Sequence, residues 1–124
     1  MALDTSALMA PVERDLRLFD ELDRLLGAYE LVTPAAVRRE LAELAASAGG
    51  KAATAARVGA DLAERAEEVA TAAEGADDAV VELAEAGDAD LVATMDRPLA
   101  ERVLAVGVPV AAERGRHTLE VIEP

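Results

Sequence analysis

Leu91-Val92-Ala93 is a contiguous apolar run inside the segment Ala89–Thr94, with no polar residue alternating through it. A strand of that pattern is apolar on both faces, so the chain has to cover it from both sides, as helices do in a mostly parallel sheet. The flanking segments supply such helices. Asp96-Arg97-Pro98 predicts the start of a helix carrying Leu99, Val103 and Leu104, and Asp77-Asp78 predicts the start of another over Val80, Val81, Leu83 and Ala84, ended by Gly87.

The same alternation runs through the remainder. Met1 to Leu3 reads as a short strand stopping at Asp4-Thr5-Ser6, which reads as a loop. Leu16, Leu18, Phe19, Leu22, Leu25 and Leu26 have helical spacing up to Gly27. Tyr29–Thr33 is β-favouring, and Pro34 sits at the start of a helix striped by Val37, Leu41 and Leu44. Gly49-Gly50 breaks it. An Ala-rich helix is expected from Lys51 to about Ala66, and Glu67–Ala73 reads either as its continuation or as a short strand around Val69, the strand being preferred because Gly75 follows. Val108–Ala111 and Thr118–Ile122 read as the last two strands, joined through Arg114-Gly115-Arg116. The expected fold class is α/β, a three-layer α/β/α sandwich with a central mostly parallel sheet, in a single domain over residues 1–124.

In such sheets ligands sit beyond the carboxyl ends of the strands, where strand order reverses. Asp4 ends the first expected strand, Asp96 follows the doubly buried one, Asp78 opens a helix pointing the same way, and Glu40 lies beside the Val37/Leu41 stripe. Four carboxylates converging there would repel one another unless a cation neutralised them, and hard oxygen donors without His or Cys select Mg²⁺ or Mn²⁺. Each acid alone has a blander reading. Glu on a helix is ordinarily solvated. Asp78, or Asp77, and Asp96 stand where helix N-caps are expected, and Asp4 is a polar residue after a short strand.

Taken together, Asp4-Thr5-Ser6, Arg38-Arg39-Glu40-Leu41, Ala76-Asp77-Asp78-Ala79-Val80-Val81 and Val92-Ala93-Thr94-Met95-Asp96-Arg97 resemble the PIN-domain nucleases over nearly the whole chain. The resemblance is closest to the archaeal single-domain members and the small-subunit rRNA-processing branch. It implies acidic ligands at Asp4, Glu40, Asp78 and Asp96, with Ser6 and Thr94 as accessory polar groups. Many members carry Asn where this chain has Ser6. Asp77, next to Asp78, leaves the third ligand open by one residue, and Asp78 is preferred. The implied activity is a metal-dependent endoribonuclease whose bound water attacks an RNA phosphodiester. Arg97 and Arg39, beside two of the acids, and Arg114 and Arg116 near the C-terminus are the expected phosphate contacts, since guanidinium forks suit phosphate oxygens.

Other chemistries find less support. There is no Cys, which excludes thiol catalysis, disulfides and Cys-ligated zinc. Lys51 lacks a phosphate-binding loop around it, no Gly-rich dinucleotide motif follows the first strand, and Asp4-Thr5-Ser6 lacks the second Asp of haloacid-dehalogenase phosphatases. His117, the single His, reads as an exposed polar residue. The rival functions are a toxin ribonuclease of a toxin–antitoxin pair, with an antitoxin as partner, and an RNA-binding subunit with a ribosome-assembly partner and little catalysis. The resemblance implies a homodimer, since the family commonly pairs through apolar helix faces and this chain has Ala- and Leu-rich helices to spare. No basic segment precedes an apolar run, so a cytoplasmic location without membrane contact is expected.

The net charge of −13 argues at first sight against a nucleic-acid partner. Eleven of the twelve cations are Arg, however, and the acids are spread along the whole chain, the composition of a surface suited to a salty, halophilic cytoplasm. Like-charge repulsion is screened there over roughly 3 Å at 1 M salt. Locally, Arg97–His117 carries four Arg against Glu101 and Glu113. A melting curve against KCl checks the reading: the midpoint is expected to rise from low to molar salt, and a flat curve would remove it.

Overall fold

Two buried strands lie at the centre of the sheet. In the computed structural model, which describes residues 1–124, β1 (Ala2–Leu3) and β4 (Val92–Ala93) pair in parallel, with Ala2 opposite Val92 and Leu3 opposite Ala93. All four residues are fully buried, as the unbroken apolar run requires. Around them the sheet runs β3 (Glu67–Val69), β2 (Val32–Pro34), β1, β4, β5 (Val110–Glu113), β6 (Leu119–Ile122), with only β6 antiparallel. β1 pairs with β2 on one side and with β4 on the other, so strand order reverses there and a crevice opens past their carboxyl ends.

The helices are α1 (Thr5–Glu13), α2 (Leu18–Leu26), α3 (Ala35–Ser47), α4 (Gly50–Ala63), α5 (Ala76–Glu85) and α6 (Arg97–Ala105). With the sheet between them they complete the three-layer α/β/α arrangement. α1 corrects the reading of Asp4-Thr5-Ser6 as a loop. The Asp4 side chain accepts from Ala7 N and caps a helix that continues through Pro11. Proline removes a backbone donor, which masks such a helix in the sequence, but burial of Ala7, Leu8, Met9 and Ala10 holds it. α5 also begins differently: Gly75 is its N-cap, and Asp77 and Asp78 lie inside its first turn. Pro34 ends β2 and caps α3 in extended backbone.

The core is a cluster of thirty buried residues, nearly all Ala, Leu and Val. Small side chains let α1 and α4 approach closely. A Cβ on Gly59 would stand 3.0 Å from the Leu8 carbonyl oxygen and 3.1 Å from Leu41 Cδ2. The large apolar side chains left exposed are Val106 and Ile122, and no helix is long and apolar enough to cross a membrane. Because the Leu8 contact is backbone and cannot swing aside, Gly59→Ala is expected to destabilise the fold by about 1–3 kcal/mol, read as a lower urea midpoint with an unchanged slope.

Candidate metal centre

Asp4 immediately follows β1, and the register that sets Leu3 beside Ala93 brings Thr94 beside it. Its carboxylate is only 3% exposed and takes three donors. Ala7 N lies 2.8 Å from Oδ1, Ser6 Oγ lies 2.9 and 2.8 Å from the two oxygens, and the Thr94 hydroxyl donates to Oδ2. Each hydroxyl is itself oriented. Ser6 Oγ accepts from Met95 N at 2.9 Å, and Thr94 Oγ1 accepts from Asp96 N at 3.0 Å, so the single proton of each is directed to Asp4.

Burial nevertheless dominates and pushes the Asp4 carboxyl up to about 6; the Thr94, Ala7 and Ser6 hydrogen bonds oppose the shift and the Asp77 charge adds to it. Asp96 caps α6, accepting from Leu99 N at 3.1 Å, which fixes its carboxylate at the carboxyl end of β4. Glu40 is half-buried on α3. Asp77 is held above the usual carboxylate value, first by desolvation and then by the charges of Asp96 and Glu40, with Asp78 a smaller contributor and Arg102 opposing. Asp77 is thus the acid whose field joins the group, being coupled to Asp4, Glu40 and Asp96.

Asp78, the acid preferred from the sequence, is directed elsewhere. Its Oδ1 lies 2.8 Å from an Arg102 guanidinium nitrogen, in an exposed pair. The acids share a crevice without closing on one point, and no three of them are close enough to ligate a single ion. The donor chemistry fits a divalent cation, since all ligands on offer are hard oxygens and the charge that lifts Asp77 is what a cation would neutralise.

The expected phosphate contacts are distributed more widely. Arg97 and Asp96 line one hollow of about 340 Å³, together with Thr94, Arg14 and Glu113. Arg39, exposed beside Glu40, donates over 3.5 Å to the Glu74 carbonyl. Arg114 pairs with Glu120 at 3.1 Å, and Arg116 lines a neighbouring hollow with His117. Arg102, one of the four Arg of the Arg97–His117 segment, is engaged by Asp78, and Arg14, which nothing local in the sequence ties to the acids, pairs with Glu113 at 2.8 Å.

Asp4 makes the metal-free protein sensitive to pH. Its folded-state value lies above the unfolded value of 3.8, so the fold favours the neutral acid. That contribution is whole below about pH 4 and is lost as pH rises through about 6. Stability in EDTA is expected to fall over this window by something on the order of 3 kcal/mol, and Asp4→Asn should flatten the profile in urea titrations.

Comparison with known proteins agrees with this geometry. Residues 1–116 match the family model of the PIN-like domain. The solved structure of the PIN domain endonuclease Utp24 is similar, with a TM-score of 0.77 and 26% sequence identity, covering 99% of this chain and 90% of that one. No curated protein matches. With the family model spanning most of its length, and with the sheet order and acidic crevice described above, this chain belongs to the PIN-like domain family.

Proposed function

We propose that the protein is a metal-dependent endoribonuclease that hydrolyses RNA phosphodiester bonds at the crevice between β1 and β4. The observation that carries this reading is the buried Asp4 carboxylate, held by Ser6, Thr94 and Ala7 at the reversal point of the sheet, with Asp96 fixed by its capping bond at the carboxyl end of the neighbouring strand. Likeness to a PIN domain endonuclease supports the nuclease part. The ligand set is Asp4, Glu40, Asp77 and Asp96, with Asp77 in place of Asp78 because Asp78 is engaged by Arg102.

When bound, a Mg²⁺ or Mn²⁺ ion supplies Lewis acidity to a water and to the phosphodiester. The chain's own residues prepare for this. Ser6 and Thr94 hold Asp4 by its oxygens and are themselves anchored to the β4–α6 backbone, so the carboxylate cannot rotate away. The capping bond does the same for Asp96. Arg97 and Arg39 flank the acids and offer forked donors to the RNA backbone. A role in rRNA processing or quality control fits the resemblance of the Ala-Asp-Asp and Val-Ala-Thr-Met-Asp-Arg segments to that branch.

Cleavage of a structured RNA with Mn²⁺ tests the proposal, with an EDTA control. Wild type is expected to cut and Asp96→Asn to be inert. Asp77→Asn should lose about 100-fold or more in rate while Asp78→Asn loses less than about 10-fold. Equal, metal-independent cleavage by wild type and Asp96→Asn would overturn the proposal, and the reverse ranking of the Asp77 and Asp78 variants would restore Asp78 as ligand.

A further inference from the structure

Charge on this protein is segregated in space although it is scattered in sequence. Three hollows adjoin one another on the surface, starting at the acidic centre. The first holds Asp96 with Arg97 and Arg14. The second, about 420 Å³, shares Arg14 and Glu113 with it and adds Lys51, Arg116 and His117. The third, about 360 Å³, shares Asp15 with the second and adds Arg17, Arg65 and Phe19. Together they contain six of the twelve cations and five of the twenty-five acids, one of them Asp96 of the metal centre. The other six cations share the rest of the molecule with twenty acids. At the opposite end of β1 and β4, a hollow of about 470 Å³ holds Glu30, Asp88 and Asp90 and no Lys or Arg.

Pairing separates the two groups as well. Outside the row, four of the six cations, Arg24, Arg38, Arg102 and Arg114, have a carboxylate partner, and Arg39 and Arg57 do not. Inside it only Arg14 does. Arg17, Lys51, Arg65, Arg97 and Arg116 are exposed and have no carboxylate within ion-pairing distance, in a chain with twice as many acids as bases. Cations left unpaired in such a chain, and concentrated in one row, suit an anion supplied from outside.

The last hollow offers stacking surfaces too. Arg65 lies with its guanidinium 4.4 Å from the centre of the Phe19 ring, the only Phe of the chain. Guanidinium planes and aromatic rings receive unstacked bases. In the second hollow, His117 Nδ1 lies 3.0 Å from the Asp15 carbonyl and 3.2 Å from that of Arg14. Carbonyls only accept, so Nδ1 carries the proton, and Nε2 becomes a second donor when the ring is charged.

We propose that this row of hollows is the path of a single-stranded RNA segment leading away from the acidic centre, its phosphates facing Arg97, Arg14, Lys51, Arg116, Arg17 and Arg65. The assignment rests on the ribonuclease reading above and names the strand's direction across the surface. Separate hollows suit a flexible strand, which can seat nucleotides one after another; a duplex holds its phosphates in rigid rows.

The test is binding of a fluorescein-labelled single-stranded RNA of mixed sequence, followed by anisotropy over a range of KCl. It is run in EDTA, and again with Mn²⁺ on the Asp96→Asn protein. Arg17→Gln/Lys51→Gln/Arg116→Gln removes three charges from the row; Ala28→Glu/Ala86→Glu/Ala105→Glu makes the same change in net charge on other exposed positions. The row variant is expected to bind about tenfold or more weakly at low salt, with the salt slope reduced by about 2, while the matched control stays within about twofold of wild type. Circular dichroism melting should place both variants near wild type. Wild-type affinity and slope in the row variant, with metal-dependent cleavage intact in the otherwise unaltered protein, would overturn the path and leave the nuclease standing. Tighter binding of a blunt RNA duplex than of the strand would also overturn it. Wild type that neither binds nor cleaves RNA would overturn both readings.

Discussion

A buried carboxylate at the reversal point of a parallel sheet is the constraint around which the site is arranged. Asp4 is removed from water, and three donors only partly compensate for the loss of hydration, so its proton affinity is raised. The same three donors do structural work. Ala7 N belongs to the first turn of α1, while the Ser6 and Thr94 hydroxyls are tied to Met95 N and Asp96 N. One side chain therefore joins the start of α1 to the connection between β4 and α6. The position of Asp96 depends on that junction.

Function and stability pull against each other at this point. A neutral Asp4 suits the isolated fold, and an ionised Asp4 suits a cation. Asp77 shows the same conflict from the exposed side, lifted by desolvation and by its acidic neighbours. Arg102, one of the cations near the acids, is already paired with Asp78. A cation binding here gains the attraction of several carboxylates and relieves their repulsion, and it competes with protons for Asp4.

Charge over the wider surface follows a similar logic. A strongly acidic protein that handles a polyanion needs its cations gathered where they are used. Half of them border the hollows adjoining the crevice, and most of those lack acidic partners; the hollow at the opposite end of the strands holds acids and no Lys or Arg. Net charge describes solubility and salt response here and says little about which face would meet an anionic partner.

The amino-acid sequence by itself determined the layers and pointed to the candidate acids. Leu91-Val92-Ala93 demanded cover on both faces, the helical stripes supplied it, and Asp4, Glu40 and Asp96 were legible from their positions after strands or beside an apolar stripe. It did not reveal α1, because Pro11 and the Asp-Thr-Ser turn chemistry hide a helix that burial and the Asp4 cap stabilise. Nor could it choose between Asp77 and Asp78. Adjacent residues on a helix point about 100° apart, and which of them faces the crevice depends on where α6 presents Arg102. Tertiary structure set Arg102 against Asp78, set Thr94 beside Asp4 through the pairing of β1 with β4, and brought Arg14, Lys51 and Arg65 into a row of hollows with Arg97. Local pattern fixes which face of an element is buried; relations between residues far apart in the chain exist only once the elements have packed.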